Sequence, residues 1–202
     1  MNRPADSDLP PLGLRERKKA KTLAAIQAAA LRLFQEQGYD ETTIEQIAAA
    51  AEVSPSTFFR YFPTKEDVVL LDLTDPLVIE AFRAQPPELT AIAAFRRALR
   101  EVFDGLSAGE FEVVRQREEL ILANPALRAR LLGEIGSMVN LVVEEVAKRA
   151  GRRSDDLELR VLAGAIMGVA IGLMMTKPDT PPRELVALCD AGLAQLEAGI
   201  KL

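Results

Sequence analysis

Residues 42–65, TTIEQIAAAAEVSPSTFFRYFPTK, hold the side chains of this 202-residue chain best suited to recognition chemistry. Ser56, Thr57, Phe59, Arg60 and Tyr61 bring hydroxyls, a guanidinium and aromatic edges together within residues 56–61. A short, rigidly held helix carrying such groups can reach base edges and phosphates in a DNA groove. Phe58 and Phe62 stand four apart and are expected to face inward and anchor that helix. Six of the ten aromatics fall between Phe34 and Phe62, so large apolar side chains are concentrated under this segment. A packed three-helix subdomain that never meets DNA would use the same aromatics as core, and spacing alone leaves that alternative open.

Other chemistries find little support. The chain has no His, which removes the commonest general base and zinc ligand. No metal-ligand cluster and no phosphate-cradling Gly-rich loop is present, so neither a metal nor a cofactor is expected. Glu118-Glu119 and Glu144-Glu145 are adjacent pairs that diverge on a helix, so neither makes a paired-carboxylate site. The single Cys189 excludes an internal disulfide and fits a reduced cytoplasmic setting. No signal peptide is visible in the polar, Pro-rich start. The longest uncharged run, residues 161–176, is shorter than the ~20 residues of a membrane span and holds three glycines.

A net charge of −5 argues at first against nucleic acid, but its distribution does not. Residues 1–65 hold nine Lys/Arg against eight Asp/Glu, while residues 66–202 hold sixteen against twenty-two. Within residues 15–21, RERKKAK, five bases face one acid. Screening limits distant charge to roughly 8 Å in physiological salt, so a local basic cluster can still bind phosphate.

Helices must position these groups. Residues 1–14 read as a mobile arm with three prolines. Leu23, Ile26, Ala30, Leu33 and Phe34 then form a core-facing stripe that Gly38 closes. Thr43 and Gln46 make a capping box for a second helix. Ser54 caps a third, Pro55 takes its first position and Pro63 stops it. Thr64 opens another, interrupted around Asp75-Pro76. Helical patterns follow over residues 88–106, 110–123, 124–150, 155–176 and 182–199, with residues 107–109 as a loop. The expected fold is all-α, about nine helices and no sheet. It divides into an arm (1–14), a helix-turn-helix domain (15–64) and a C-terminal domain (65–202).

Residues 15–70 resemble the DNA-binding domain of TetR-type transcriptional regulators. The matching run is Ala28, Leu33-Phe34, Gly38-Tyr39, Thr42-Thr43-Ile44, Ile47-Ala48, Ala51-Glu52-Val53-Ser54, Thr57-Phe58-Phe59 and Tyr61-Phe62-Pro63-Thr64-Lys65-Glu66. The resemblance implies a homodimeric repressor of a palindromic double-stranded operator, released by a small apolar or amphipathic effector. By the same resemblance Thr43 would touch phosphate, and Pro55, Ser56, Phe59 and Arg60 would face the major groove. Thr57, Tyr61 and Lys65 would hold the backbone. Arg15, Arg17, Lys18, Lys19 and Lys21 would add phosphate or minor-groove contacts. Two positions depart from many relatives. Glu52 stands where Gly is common, at a helix C′ position that favours a left-handed backbone, and should cost about 1 kcal/mol. Phe59 stands where Tyr is common, favouring apolar contact with a base.

In the C-terminal domain Gly164, Gly168 and Gly172 recur every four residues and align along one helix face. Such a stripe lets another backbone approach closely. With Leu185, Leu188, Cys189, Gly192 and Leu196 on the last helix, it is expected to form the dimer seam that the resemblance implies. Phe95, Leu99, Phe103, Phe111, Leu120, Met138, Val142 and Met167 are candidate walls of an effector pocket. Met and Leu dominate them, which suits a pliable apolar ligand. Residues 61–70 with Asp75-Pro76 are also similar to a subgroup that binds acyl-CoA-like ligands. Arg96, Arg97, Arg100, Arg115 and Arg117 could meet an acidic ligand, but read first as solvated helix faces. A filled core without a cavity of about 300 Å³ or more would favour a constitutive DNA-binding regulator with no effector.

Overall fold

The computed structural model describes residues 14–176 and 180–200, apart from the side chains of Leu14, Glu16 and Arg17. The N-terminal arm up to residue 13, the contact expected of Arg17 and residues 177–179 of the last linker lie outside that description. The described chain is all-α, with no strand among the described residues. Its helices are α1 (Leu14–Gln37), α2 (Ile44–Ala50), α3 (Pro55–Tyr61), α4 (Lys65–Leu70) and α5 (Asp75–Ala84), then α6 (Ala91–Gly105), α7 (Ala108–Ala123), α8 (Pro125–Ala150), α9 (Leu157–Thr176) and α10 (Pro182–Ala198). The break before Asp75 is a full one, so α4 and α5 are separate among the described residues. Residues 107–109 are not a free loop. Ser107 and Glu110 form a capping box that starts α7 at Ala108.

The chain divides into two compact units at Val68/Val69. At the end of the first unit the buried Gln27 amide donates to the Val68 carbonyl at 2.8 Å. In the first unit α2 packs on both α1 and α3. Ile26, Leu31, Ile47, Phe58, Phe62 and Val68 are its sealed core. Leu31, absent from the expected stripe, is fully buried, while Leu23 and Leu33 are only partly so.

The turn of the helix-turn-helix is a complete Schellman motif. The Val53 amide donates to the Ala48 carbonyl at 2.9 Å and the Glu52 amide to Ala49 at 3.1 Å. Glu52 has φ +54°, the only positive φ of a non-glycine among the described residues. The left-handed backbone expected there is present, held by these two bonds at the cost of a crowded Cβ. Glu52→Gly is therefore expected to stabilise the protein by about 1 kcal/mol, raising Tm by about 2–4 °C in a thermal melt.

In the second unit α5, α6, α8, α9 and α10 share one core. Val78, Phe82, Ala98, Val142, Val146, Ala163, Ile166 and Leu193 lie at its centre. The helix α7 packs on α8 and α10. Ion pairs tie the elements at the rim. Arg96 and Arg100 of α6 both reach Asp190 of α10, and Arg83 of α5 grips the buried Glu145 of α8 with two bonds of 2.7 Å. Glu145 is held down to about 2 by the Arg83 hydrogen bonds, against the pull of burial, with Lys148 adding to the effect.

By length and composition α9 could cross a membrane. Its inner side is packed on α8 and α10, with Leu159, Ala163 and Ile166 buried. Its outer side carries exposed Leu157, Val161, Gly164, Gly168 and Gly172. A Cβ built on any of the three glycines meets nothing of the chain within 4 Å.

Candidate functional site

The first candidate surface is built on α3. Ser54 accepts from the Thr57 amide at 3.1 Å, and Pro55 follows at N1. The Ser54 hydroxyl also bonds those of Ser56 and Thr57, at 3.1 and 2.9 Å. Phe58 is sealed in the core and packs against Phe62, with ring centroids 5.8 Å apart. Helical geometry then turns the neighbouring positions outward. Phe59 is 50% exposed, and Pro55, Ser56 and Arg60 are exposed beside it. Thr57 and Tyr61 are half-buried, with the Arg60 guanidinium 5.2 Å from the Tyr61 ring centroid. Thr43 is exposed at the start of α2, its side chain accepting from the Gln46 amide. Arg15, Lys18, Lys19 and Lys21 are exposed along the first turns of α1.

Lys65 differs from its expected part. Its ammonium donates to the Tyr39 carbonyl at 2.7 Å and the Thr42 carbonyl at 3.2 Å, and lies 4.3 Å from the Tyr39 ring centroid. Two of three N–H donors are thus used inside the protein, pinning the α1–α2 connection.

The second candidate site is a cavity of about 240 Å³ in the second unit. Phe95, Leu99, Phe103, Met138, Val142 and Met167 line it, six of the eight expected walls. Phe111 and Leu120 do not. Phe111 is buried between Phe103, at 6.1 Å, and the Arg183 guanidinium, at 4.1 Å. Leu185 and Cys189, expected at a dimer seam, line the cavity instead. Their buried register on α10 is Pro182, Leu185, Cys189 and Leu193. Leu196 packs against the same core, and a Cβ on Gly192 would meet Val169 Cγ1 at 3.0 Å. On α10 Ala187 and Ala191 are exposed next to a half-buried Leu188.

One end of the cavity is polar, which the sequence reading missed. Arg117, Asp72, Thr74, Asp75 and Glu118 all line it. Arg117 is only 8% exposed, pairs with Asp72 and donates to the Leu70 carbonyl at 3.5 Å. Burial pushes Asp72 up, but Arg117 and two hydrogen bonds from Thr74 outweigh it, so its carboxyl is held below the usual range. Asp75 is exposed at the start of α5 and also lines the cavity. Desolvation first, then the Asp72 charge, push it up to about 7 against the opposing pull of Arg117. Glu118 is also pushed up to about 7, by desolvation first, then by Asp72 and Glu119, again against Arg117. The Cys189 thiol is raised to about 11 by burial and by Glu118. The thiolate is the reactive form, so burial and Glu118 both disfavour reaction at Cys189. The missed signal lay in α7 itself. Phe111, Val114, Arg117 and Ile121 share its buried face, so Arg117 stands in an apolar stripe.

A carboxyl raised in the fold is protonated there while still ionised in the unfolded chain. The fold therefore binds extra protons between about pH 4.5 and 7, and stability falls as pH rises through that window. Glu118→Gln is expected to raise Tm by about 2–4 °C at pH 8 and hardly at all at pH 4, in melts at both values.

The chain matches two family models. "Bacterial regulatory proteins, tetR family" spans residues 26–71, and "MftR C-terminal domain" spans residues 89–201. It is 36% identical over 151 residues to the HTH-type transcriptional regulator TcmR of Streptomyces glaucescens, covering 71% of this chain and 67% of that one. It is 25% identical over 158 residues to the mycofactocin biosynthesis transcriptional regulator MftR of Mycobacterium tuberculosis, covering 77% and 79%. Among solved structures it is similar to Thermus thermophilus FadR, a repressor in complex with lauroyl-CoA. The two share a TM-score of 0.53 and 26% identity, covering 89% of this chain and 95% of that one. With its helix-turn-helix and its C-terminal helical unit both matched, this chain belongs to the TetR family of DNA-binding transcriptional regulators and is not an enzyme.

Proposed function

We propose that the chain acts as a homodimeric repressor that binds a palindromic operator and is released by a small apolar or amphipathic ligand. The observation that carries this reading is the contrast along α3. Phe58 is sealed while Pro55, Ser56, Phe59 and Arg60 are left open on the surface. Thr43 and the α1 bases Arg15, Lys18, Lys19 and Lys21 would meet phosphates beside that face, and Thr57 and Tyr61 would hold the backbone. Lys65 can give a phosphate only its third N–H. The open glycine stripe on α9, facing nothing of its own chain, supports a partner helix packed there, with Ala187, Leu188 and Ala191 of α10 beside it. Work on DNA makes the cytoplasm the setting.

The cavity supports ligand control, and the lauroyl-CoA bound by FadR shows that a relative of similar structure takes a ligand. Its 240 Å³ lies below the ~300 Å³ lower bound of most ligand pockets. That size favours the second reading, a constitutive regulator. Native mass spectrometry of protein purified from its host separates the two. A co-purifying small molecule supports ligand control, and bare protein whose DNA affinity no host extract changes supports the alternative. DNA reading is tested by selecting operators with the wild type and with Arg60→Ala. The variant is expected to relax preference at one base position in each half-site, for a loss of about 1–3 kcal/mol. Unchanged preference would remove Arg60 from base reading.

A further inference from the structure

The cavity's charge balance defines the head group of its ligand more narrowly than its apolar walls do. This deepens the ligand-responsive reading above and rests on it. Of the residues lining the cavity, four carry formal charge: Asp72, Asp75, Arg117 and Glu118. Arg117 is committed to Asp72 and to the Leu70 carbonyl, so that pair is neutral as a whole. Asp75 and Glu118 flank it, one from the start of α5 and one from α7, and both feel the Asp72 and Arg117 charges. Among the described residues that line the cavity, Arg117 is the one cation. α6 contributes Phe95, Leu99 and Phe103, α8 and α9 contribute aliphatic and Met side chains, and α10 contributes Cys189 as its one titratable group. Glu119, next along α7, is exposed and paired with Arg115.

We propose that the cavity binds an amphiphile whose apolar body lies against α6, α8 and α9 and whose protonated amine lies between Asp75 and Glu118. An anionic head, such as a carboxylate or a thioester-linked phosphate carrier, would enter beside two carboxyls, with the one cation among the described lining residues already paired to Asp72. An ammonium adds a counter-charge beside each carboxyl and holds both ionised through charge-assisted hydrogen bonds. Among the described residues no group of three or more His, Cys, Asp or Glu is placed to hold a metal ion, and the adjoining walls are apolar, so the cation is organic.

The test uses three probes with one eight-carbon chain and different heads: octylammonium, octanoate and octan-1-ol. Each is titrated calorimetrically into the full-length protein at pH 8. Octylammonium is expected to bind at least about tenfold more tightly than octanoate, the size of one charge-assisted contact. In the Asp75→Asn, Glu118→Gln double variant that preference should vanish, while octan-1-ol binds as to the wild type. The wild-type comparison stands by itself if the variant folds poorly. Octanoate binding as tightly as octylammonium, or a preference that survives in the double variant, overturns the cationic assignment and leaves the cavity as a ligand site. Failure of all three to bind overturns the cavity as a ligand site, and the assignment with it.

Discussion

Gly168→Glu is expected to leave a folded protomer that no longer dimerises and binds its operator about 10²–10⁴-fold more weakly. Among the described residues no atom beyond its own helical turn lies within 4 Å of a Cβ at this position, so the protomer has room for the side chain. Helix propensity favours the change by up to about 1 kcal/mol, because Gly is a poor helix former. A partner helix packed on the stripe has no such room, and the carboxylate would be buried in an apolar seam. Losing the second reading head turns a bivalent contact into a single one, which sets the scale of the affinity loss. Sedimentation velocity and circular dichroism on the same sample check it. A helical monomer is the expected result, and a stable dimer would move the interface elsewhere.

The second large effect separates two neighbours on α3. Phe58→Ala removes a fully buried ring and is expected to cost about 3–5 kcal/mol, unfolding the reading domain at moderate denaturant. Phe59→Ala, at a half-exposed ring one residue later, should change stability by less than about 0.5 kcal/mol. It should still weaken DNA binding by about 1–3 kcal/mol at the base it touches. Denaturant melts and mobility shifts on both variants distinguish these outcomes. Equal losses of stability would mean that Phe59 serves packing rather than recognition.

The reading domain was legible because its punctuation is local. Gly38, the Thr43–Gln46 capping box, the Ser54-Pro55 start and the left-handed Glu52 turn all involve residues a few positions apart. The cavity was only half legible. Its aromatic and Met walls follow helical spacing, but Asp72 and Arg117 are 45 residues apart and meet only in the folded chain. Charged residues on α7 read as a solvated face, and for Arg115 that holds, since it pairs with Glu112 and Glu119 at the surface. Arg117 is the exception, and only its register with Phe111, Val114 and Ile121 betrays it. On α10 the expected seam residues Leu185 and Cys189 are turned inward, while Ala187 and Ala191 are among the exposed positions. In α9, apolar nearly all round, hydrophobic periodicity could not tell inside from outside. The glycine register marked the side that is open.

The central claim is that this chain reads a palindromic duplex as a pair. A nuclease footprint of the full-length protein on the DNA flanking its own gene, repeated across a salt series, tests it most directly. The expected result is two symmetric protections with centres one helical turn (roughly 34–36 Å) or a multiple apart, fading steeply with salt as counterions are released. A single unpaired protection, or binding with no preferred sequence at any salt concentration, would contradict it.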